Sequence, residues 1–175
     1  MDCFMTNVVL KTQLLTSNPP IALTRLTRSL IDMIYNPSNF SVVVWKHRTI
    51  GGCCLLFSDG KMIVNGFESV TLGKRAARLY ARLVQRKIGD GVLTPIVVVT
   101  MTLMADLKQK LCLESLAELL EGQYEPELFN AMLLKKGKIH FSIFQSGKIV
   151  IAGVKSEKII DAIVWPALMD IVMSG

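Results

Sequence analysis

The chain says nearly the same thing twice. Tyr35-Asn-Pro-Ser-Asn-Phe40 is followed by Ser58-Asp-Gly-Lys-Met-Ile-Val-Asn-Gly66, and Tyr124-Glu-Pro-Glu-Leu-Phe129 is followed by Gln145-Ser-Gly-Lys-Ile-Val-Ile-Ala-Gly153. Phe40 and Phe129 lie 89 residues apart, whereas Phe57 and Phe144, Gly60 and Gly147, Gly66 and Gly153, and Ser69 and Ser156 each lie 87 apart, so the register slips only once. A period of half the chain implies two copies of one folding unit and excludes a solenoid of short repeats. It predicts copies at 1–89 and 95–175, joined by a short linker at 90–94.

With 51% hydrophobic residues the chain is greasy enough that a membrane span has to be considered first. Its most apolar stretch, Gly91 to Ala105, contains Pro95 and three threonines. That falls short of the roughly 18–20 apolar residues a spanning helix needs. Val97-Val-Val-Thr100 is β-branched throughout and reads as a strand. Met1-Asp-Cys-Phe4 lacks the basic start and apolar run of a secretory signal. Cys3, Cys53, Cys54 and Cys112 show no metal-ligand spacing, and the adjacent pair would point to opposite faces of a strand, so free thiols in a reducing compartment are expected. The excess of 20 Lys plus Arg over 14 Asp plus Glu gives a charge of +6, which suits a nucleic-acid partner without requiring one.

Both halves parse alike. A β-rich run (Met5 to Leu14; Pro95 to Met104) leads into a helical stretch, the Tyr-x-Pro-x-x-Phe turn, several strands and a final helix. Apolar periodicity predicts the first helix over Ile21 to Ile34, stopping before Asn36-Pro37, and its counterpart over Leu113 to Glu121, stopping at Gly122. Phe40 to Trp45 and Cys53 to Phe57 read as paired strands, with Ser58 to Lys61 a tight turn into Met62 to Asn65. The closing helix of the first half, Leu72 to Lys87, has Ala76, Ala77, Leu79, Tyr80, Leu83 and Val84 on an inner side and Arg75, Arg78, Arg82 and Arg86 on the other. The matching helix, Ser156 to Met173, carries Pro166 inside it, which predicts a kink or break near Trp165. Two helices per half cover one side of a sheet and leave apolar surface open on the other, the usual mark of a binding site.

In their order, spacing and duplication, these motifs resemble the core domain of the TATA-box-binding protein family: Tyr-Asn-Pro then Phe, Ser-x-Gly-Lys-Met-x-Val-x-Gly, Ala76-Ala-Arg-x-Tyr-Ala-Arg-x-Val-Gln85 and Tyr124-Glu-Pro-Glu-Leu-Phe129. The resemblance runs from Thr6-Asn7 to the last helix. It implies an α+β fold, a pseudo-twofold saddle whose curved antiparallel sheet binds the DNA minor groove, with helices on the convex face. The implied function is a nuclear transcription-initiation factor that bends promoter DNA and recruits transcription factors IIB and IIA, with no cofactor.

Four phenylalanines fall where that family places its wedges between base steps: Phe40 with Phe57, and Phe129 with Phe144. The alternative is that they are ordinary core aromatics. The family's groove-facing positions map onto Val9, Leu55, Ile63 and Val150, for which simple sheet packing is the alternative. Lys46, Arg48, Lys61, Lys135 and Lys148 map onto positions at or near phosphates, where cations add salt-dependent affinity.

The departures from the family pattern concern specificity. The family reads the centre of its site with an asparagine and a threonine from each half, donors for acceptors that do not distinguish A·T from T·A. This chain keeps Asn7 but has Asn65 at the threonine position, and has Thr100 and Ala152 in the second half. Ser142 stands where the family has leucine beside Phe144, and Thr102 stands for valine. Ser38-Asn39 replaces a basic pair before Phe40, Asp59 brings a negative charge near a phosphate position, and the Phe129–Phe144 segment is 15 residues against 17 for Phe40–Phe57. These changes predict a divergent relative with altered TATA specificity, and unequal halves with a basic charge favour a eukaryotic nuclear paralogue.

Glu125, Glu127 and Leu128 match the acidic stirrup through which the family docks factor IIB; the alternative is a soluble turn around Pro126. The helix bearing Arg75, Arg78 and Arg82 resembles the basic helix that recruits factor IIA and regulators, and a charge run of this kind is otherwise a solvated face. An enzyme is disfavoured, since His47 and His140 have no acidic or cysteine partner at motif spacing and no glycine-rich phosphate loop follows a strand. The rival to DNA binding is an interaction module that keeps the factor-binding stirrup and sequesters or redirects basal factors without useful DNA affinity.

Overall fold

Strands such as Phe40–Trp45 and Cys53–Phe57 are apolar on both faces, and in the computed structural model, which describes residues 1–174, helices cover one of those faces in each half. Packing separates two compact units: Asn7–Val99, and the chain from Thr100 onward together with Met1–Thr6. In the first unit lie β1 (Asp2–Leu15, its start shared with the other unit), α1 (Leu23–Ser29), β2 (Met33–Asn36), β3 (Phe40–Trp45), β4 (Cys53–Phe57), β5 (Lys61–Phe67), α2 (Val70–Ile88) and β6 (Val92–Leu93). Its strands run antiparallel in the order β2-β3-β4-β5-β1, with β6 added to β1. The second unit holds β7 (Val97–Asp106, its first three residues in the other unit), α3 (Leu113–Leu120), β8 (Ala131–Lys136), β9 (Ile139–Phe144), β10 (Lys148–Val154), α4 (Glu157–Ile159), a π-helical turn (Ile160–Val164) and α5 (Trp165–Ser174), with strand order β7-β10-β9-β8. The class is α+β.

In each unit one sheet face is sealed under the helices. Val8, Leu10, Leu14, Trp45, Cys54, Leu56, Met62 and Val64 are buried with Ala76, Ala77, Tyr80 and Val84 of α2. Each fully buried aliphatic side chain contributes about 1.5–3 kcal/mol. Leu79 and Leu83, expected inside, sit half-exposed at the flanks of α2. Trp45 and Tyr80 meet edge to face at 4.9 Å; the indole N–H donates to the Ile31 carbonyl at 2.9 Å and the phenol O–H to the Gly51 carbonyl at 3.0 Å. Burial pushes the Tyr80 pKa up to about 12. In the second unit Phe141, Ile143, Ile149, Ile151 and Met132 are buried with Leu113, Leu116, Val164, Leu168 and Ile171.

Two local readings are corrected and a third is given its form. The first helix ends at Ser29, because Asp32 takes a left-handed conformation (φ 62°) that turns the chain, and Met33 and Ile34 pair as strand with Trp45 and Val44. Cross-strand pairing outweighs the helical spacing of those apolar residues. At the end of α3 the left-handed cap is Glu121 (φ 55°), one residue before the glycine expected to stop the helix. The predicted break near Trp165 takes the form of the π turn: Pro166 has no N–H to close the ladder, and one wider turn absorbs the gap. No helix among the described residues is long and apolar enough to cross a membrane. All four cysteines are unpaired, with Cys54 buried and Cys53 on the opposite face.

Candidate nucleic-acid interface

The face turned away from the helices is open in both units. Register places Ile34, Val44, Leu55, Ile63 and Lys11 side by side across the first sheet. The same positions of the second sheet hold Gln123, Leu133, Ser142, Val150 and Met104. None of these ten residues is buried. Leu55, Ile63 and Val150 therefore lie on an open face, as does Ser142, whose hydroxyl sits between Leu133 and Val150 in a row that ends at Gln123. Ile34, Val44, Lys11, Gln123, Leu133 and Met104 were missed in the sequence; strand alternation would have found four of them, since Lys11, Val44, Met104 and Leu133 each stand two positions from a residue already mapped there, Val9, Lys46, Thr102 and Lys135.

Phe40 and Phe129 are 56% and 46% exposed, and Phe57 and Phe144 are half-buried at the ends of β4 and β9. Such exposure argues against the ordinary core reading. Phe129 and Phe144 stand edge to face at 6.1 Å. Among the described residues no such ring contact joins Phe40 to Phe57, whose backbone neighbour is instead Val42. The Lys61 ammonium sits 5.6 Å over the Phe57 ring.

Each wedge strand leads into a turn built on a glycine. Gly60 and Gly147 both have φ 82°, their N–H groups donate to the carbonyls of Phe57 and Phe144 at 3.0 and 2.9 Å, and their carbonyls accept from Leu14 and Leu107 at 2.9 and 3.0 Å. A β-carbon at either would run into a backbone carbonyl oxygen, of Leu14 or of Gln109. These turns set Lys61 and Lys148 at matching places, but the two cations differ. Lys61 pairs with Asp59 at 3.2 Å, and the Lys61 backbone N–H, donated to the same carboxylate at 2.9 Å, holds the Asp59 pKa below its ordinary range. Lys148 is exposed and has no ion pair among the described residues. Lys135 lies on the open face of β8, opposite His140. Lys46 and Arg48 follow β3; Arg48 reaches Asp32 at 3.4 Å and is thereby drawn to a carboxylate.

Asn7 and Asn65 flank the β-bulge that shifts the β1–β5 register between Val8 and Leu10, and Val9 is the half-exposed residue within it. The Asn7 Oδ1 accepts from the Gly66 N–H at 2.8 Å, which fixes its carboxamide and leaves the amino end for an outside acceptor. In the second unit Thr100, Thr102 and Ala152 are half-exposed near the corresponding bulge of β10, with no carboxamide among them.

The remaining residues lie outside the rows of the open faces, although Glu125 and Leu128 share a cavity with Gln123, Phe129 and Leu133 at the rim of the second one. Glu125, Glu127 and Leu128 occupy an exposed turn, closed by the Leu128 and Phe129 N–H groups on the Glu125 carbonyl at 3.0 Å, with Leu128 80% exposed. Arg75, Arg78 and Arg82 are exposed along α2.

Residues 4–87 and 95–171 match the family described as "Transcription factor TFIID (or TATA-binding protein, TBP)". The chain belongs to the TATA-binding protein family. It is 36% identical over 143 residues to the TATA-box-binding protein of Emericella nidulans, covering 78% of this chain and 53% of that one. It is also 36% identical over 132 residues to that of Caenorhabditis elegans (73% and 38% covered), and 38% identical over 125 residues to TATA-box-binding protein 2 of Arabidopsis thaliana (69% and 62%). The chain thus spans between 38% and 62% of the length of these relatives. Among solved structures, Methanococcus jannaschii TBP matches with a TM-score of 0.84 and 25% identity over 99% of both chains, which gives the chain a TBP-like fold. The TATA-binding protein family consists of DNA-binding transcription factors and not of enzymes.

Proposed function

We propose that this chain is a TBP-type transcription-initiation factor that binds duplex DNA through the minor groove and bends it, using its open sheet faces. The observation that carries this reading is the twinned open face, an uncovered apolar row in each unit with exposed phenylalanines at its edge. In minor-groove binders, the TATA-box-binding protein among them, unstacking a base step costs about a few kcal/mol, which inserted apolar rings offset. Phe40, Phe57, Phe129 and Phe144 are the wedges; Val9, Leu55, Ile63, Val150, Thr102 and Ser142 lie along the groove floor; Lys46, Arg48, Lys61, Lys135 and Lys148 approach phosphates. Asn7 and Asn65 supply the central donors in the first half, while Thr100 and Ala152 leave the second half poorer in them, so TATA specificity is altered.

Further parts of the proposal are two repeats at 1–89 and 95–175 joined by residues 90–94, nuclear action, docking of factor IIB on Glu125, Glu127 and Leu128, and docking of factor IIA on the helix bearing Arg75, Arg78 and Arg82. A second reading, an interaction module without useful DNA affinity, is favoured by the Lys61–Asp59 pairing, which masks one of the turn cations.

The test is fluorescence-detected bending of A·T-rich and promoter duplexes over a range of salt. Wild-type protein should bend them, whereas Phe57→Ala and Phe144→Ala should abolish bending at a retained folded signal. If no binding or bending occurs at low salt while factor IIB still associates, the interaction module is the correct reading.

A further inference from the structure

Trp165, Met169, Val172 and Met173 recur at helical spacing along α5 and are 37%, 51%, 37% and 84% exposed. Leu119, on the adjoining α3, is 65% exposed. A helix seated on a sheet ordinarily turns such a stripe inward, and α5 already buries a different set, Ala167, Leu168 and Ile171. The outer stripe is therefore surplus to the fold of its own unit.

Its surroundings are acidic. α3 and α5 contain Glu114, Glu118 and Asp170 and no Lys or Arg, and Asp161 stands in the turn that precedes Trp165. α2 is the opposite, with Lys74, Arg75, Arg78, Arg82, Arg86 and Lys87 and no acidic residue. Leu72 is exposed, and Leu79 and Leu83 are half-exposed, between those cations.

We propose that the α5 stripe is a docking face for the α2 helix of a second copy of this chain. The arginine stems of α2 can lie along Met169, Val172 and Met173 while their guanidinium groups reach Asp161, Asp170 and Glu118 at the rim. The exposed Trp165 indole offers the best aromatic face for a cation, at about 6 Å or less from the ring centre. The second copy is the occupant because the chain itself displays a surface matching the stripe in both charge and apolar content. The two patches are different, so the contact is heterologous and leaves one of each free on every pair. One helix laid on another falls below the ~1,200 Å² of stable interfaces, so the association is weak and fades as salt screens its charges.

The test uses the full chain without DNA. Sedimentation velocity should show an average mass that rises with protein concentration up to about 100 µM and falls back at high salt. Met169→Lys/Met173→Lys disables one patch and Arg78→Glu/Arg82→Glu the other; each variant alone should be monomeric, and their equimolar mixture should form a one-to-one pair that does not grow. Acrylamide quenching should fall by about two-fold on association, because Trp165 becomes covered while Trp45 is buried throughout. Far-UV circular dichroism checks the fold, and Met173→Lys alone, at the most exposed position, serves if the double variant is disturbed. A monomeric wild type at low salt overturns the proposal. So does association that survives the arginine reversal, which would indicate an apolar α5–α5 contact, or a mixture that fails to pair.

Discussion

Lys61 and Lys148 stand at the same place in two matching turns, yet only Lys61 is tied to a carboxylate, that of Asp59. If both approach phosphates, Lys148→Ala should reduce the slope of log affinity against log salt by about 0.9, the full release of one counterion, and Lys61→Ala by clearly less. Asp59→Ser should raise affinity, which a titration series across salt would detect. Because the Asp59 carboxyl ionises below its ordinary pKa, the masking is complete above pH about 4 and is lost only as pH falls through the lower folded value. Tyr80 supplies the opposite pH dependence. Its folded pKa of about 12 exceeds the unfolded value of about 10, so the unfolded chain loses that proton first and stability declines as pH rises through the interval. Urea midpoints measured from pH 9 upward should show the decline, and Tyr80→Phe should flatten it. That substitution lowers neutral-pH stability by about 1 kcal/mol, since the Gly51 carbonyl loses its donor.

At the scale of elements, the hairpin turns distinguish glycines that share a left-handed φ. Gly137, between β8 and β9, has φ 61° and open space where a β-carbon would go, so Gly137→Ala should cost only the conformational term of about 1–2 kcal/mol. At Gly60 and Gly147 the added methyl also meets a carbonyl oxygen, and alanine there should cost about 3 kcal/mol or more by chemical denaturation. The sequence made these turns legible, because Gly-Lys recurs at a fixed spacing of 87 residues, and it made the paired strands β3 and β4 legible through the β-branched Val42-Val-Val44 and the apolar run Cys53 to Phe57. It did not reveal that Met33 and Ile34 leave the helix, because their partners on β3 lie across a turn and helical periodicity cannot see them. Nor did it show Lys61 bound to Asp59, a contact fixed by the turn that Gly60 permits. For the candidate interface, residues carried by the family motifs were found, whereas their neighbours on the same face, Val44 and Leu133 as well as Met104 and Lys11, were not, since no motif contains them.

At the scale of the molecule, the proposed function separates a DNA-facing surface from a factor-docking turn, and the separation is testable. If factor IIB docks on the exposed turn as proposed, Glu127→Arg should abolish its capture in a pull-down while leaving DNA bending unchanged, because Glu127 is exposed and lies outside the open sheet rows. Loss of both together would show that the turn supports Phe129. The bond from the Gly66 N–H to the Asn7 Oδ1 carries a consequence of another kind. A carboxamide free to rotate can present its oxygen to a guanine amino group as readily as its nitrogen to an adenine or thymine acceptor. With its oxygen already engaged, Asn7 has its amino donors left for an outside partner, and on the proposed binding mode a guanine amino group there meets donor against donor. If Asn7 and Thr100 face bases as proposed, the first copy should disfavour guanine at its position more strongly than the second, whose Thr100 hydroxyl can turn, and a panel of duplexes carrying guanine at successive positions would register the difference.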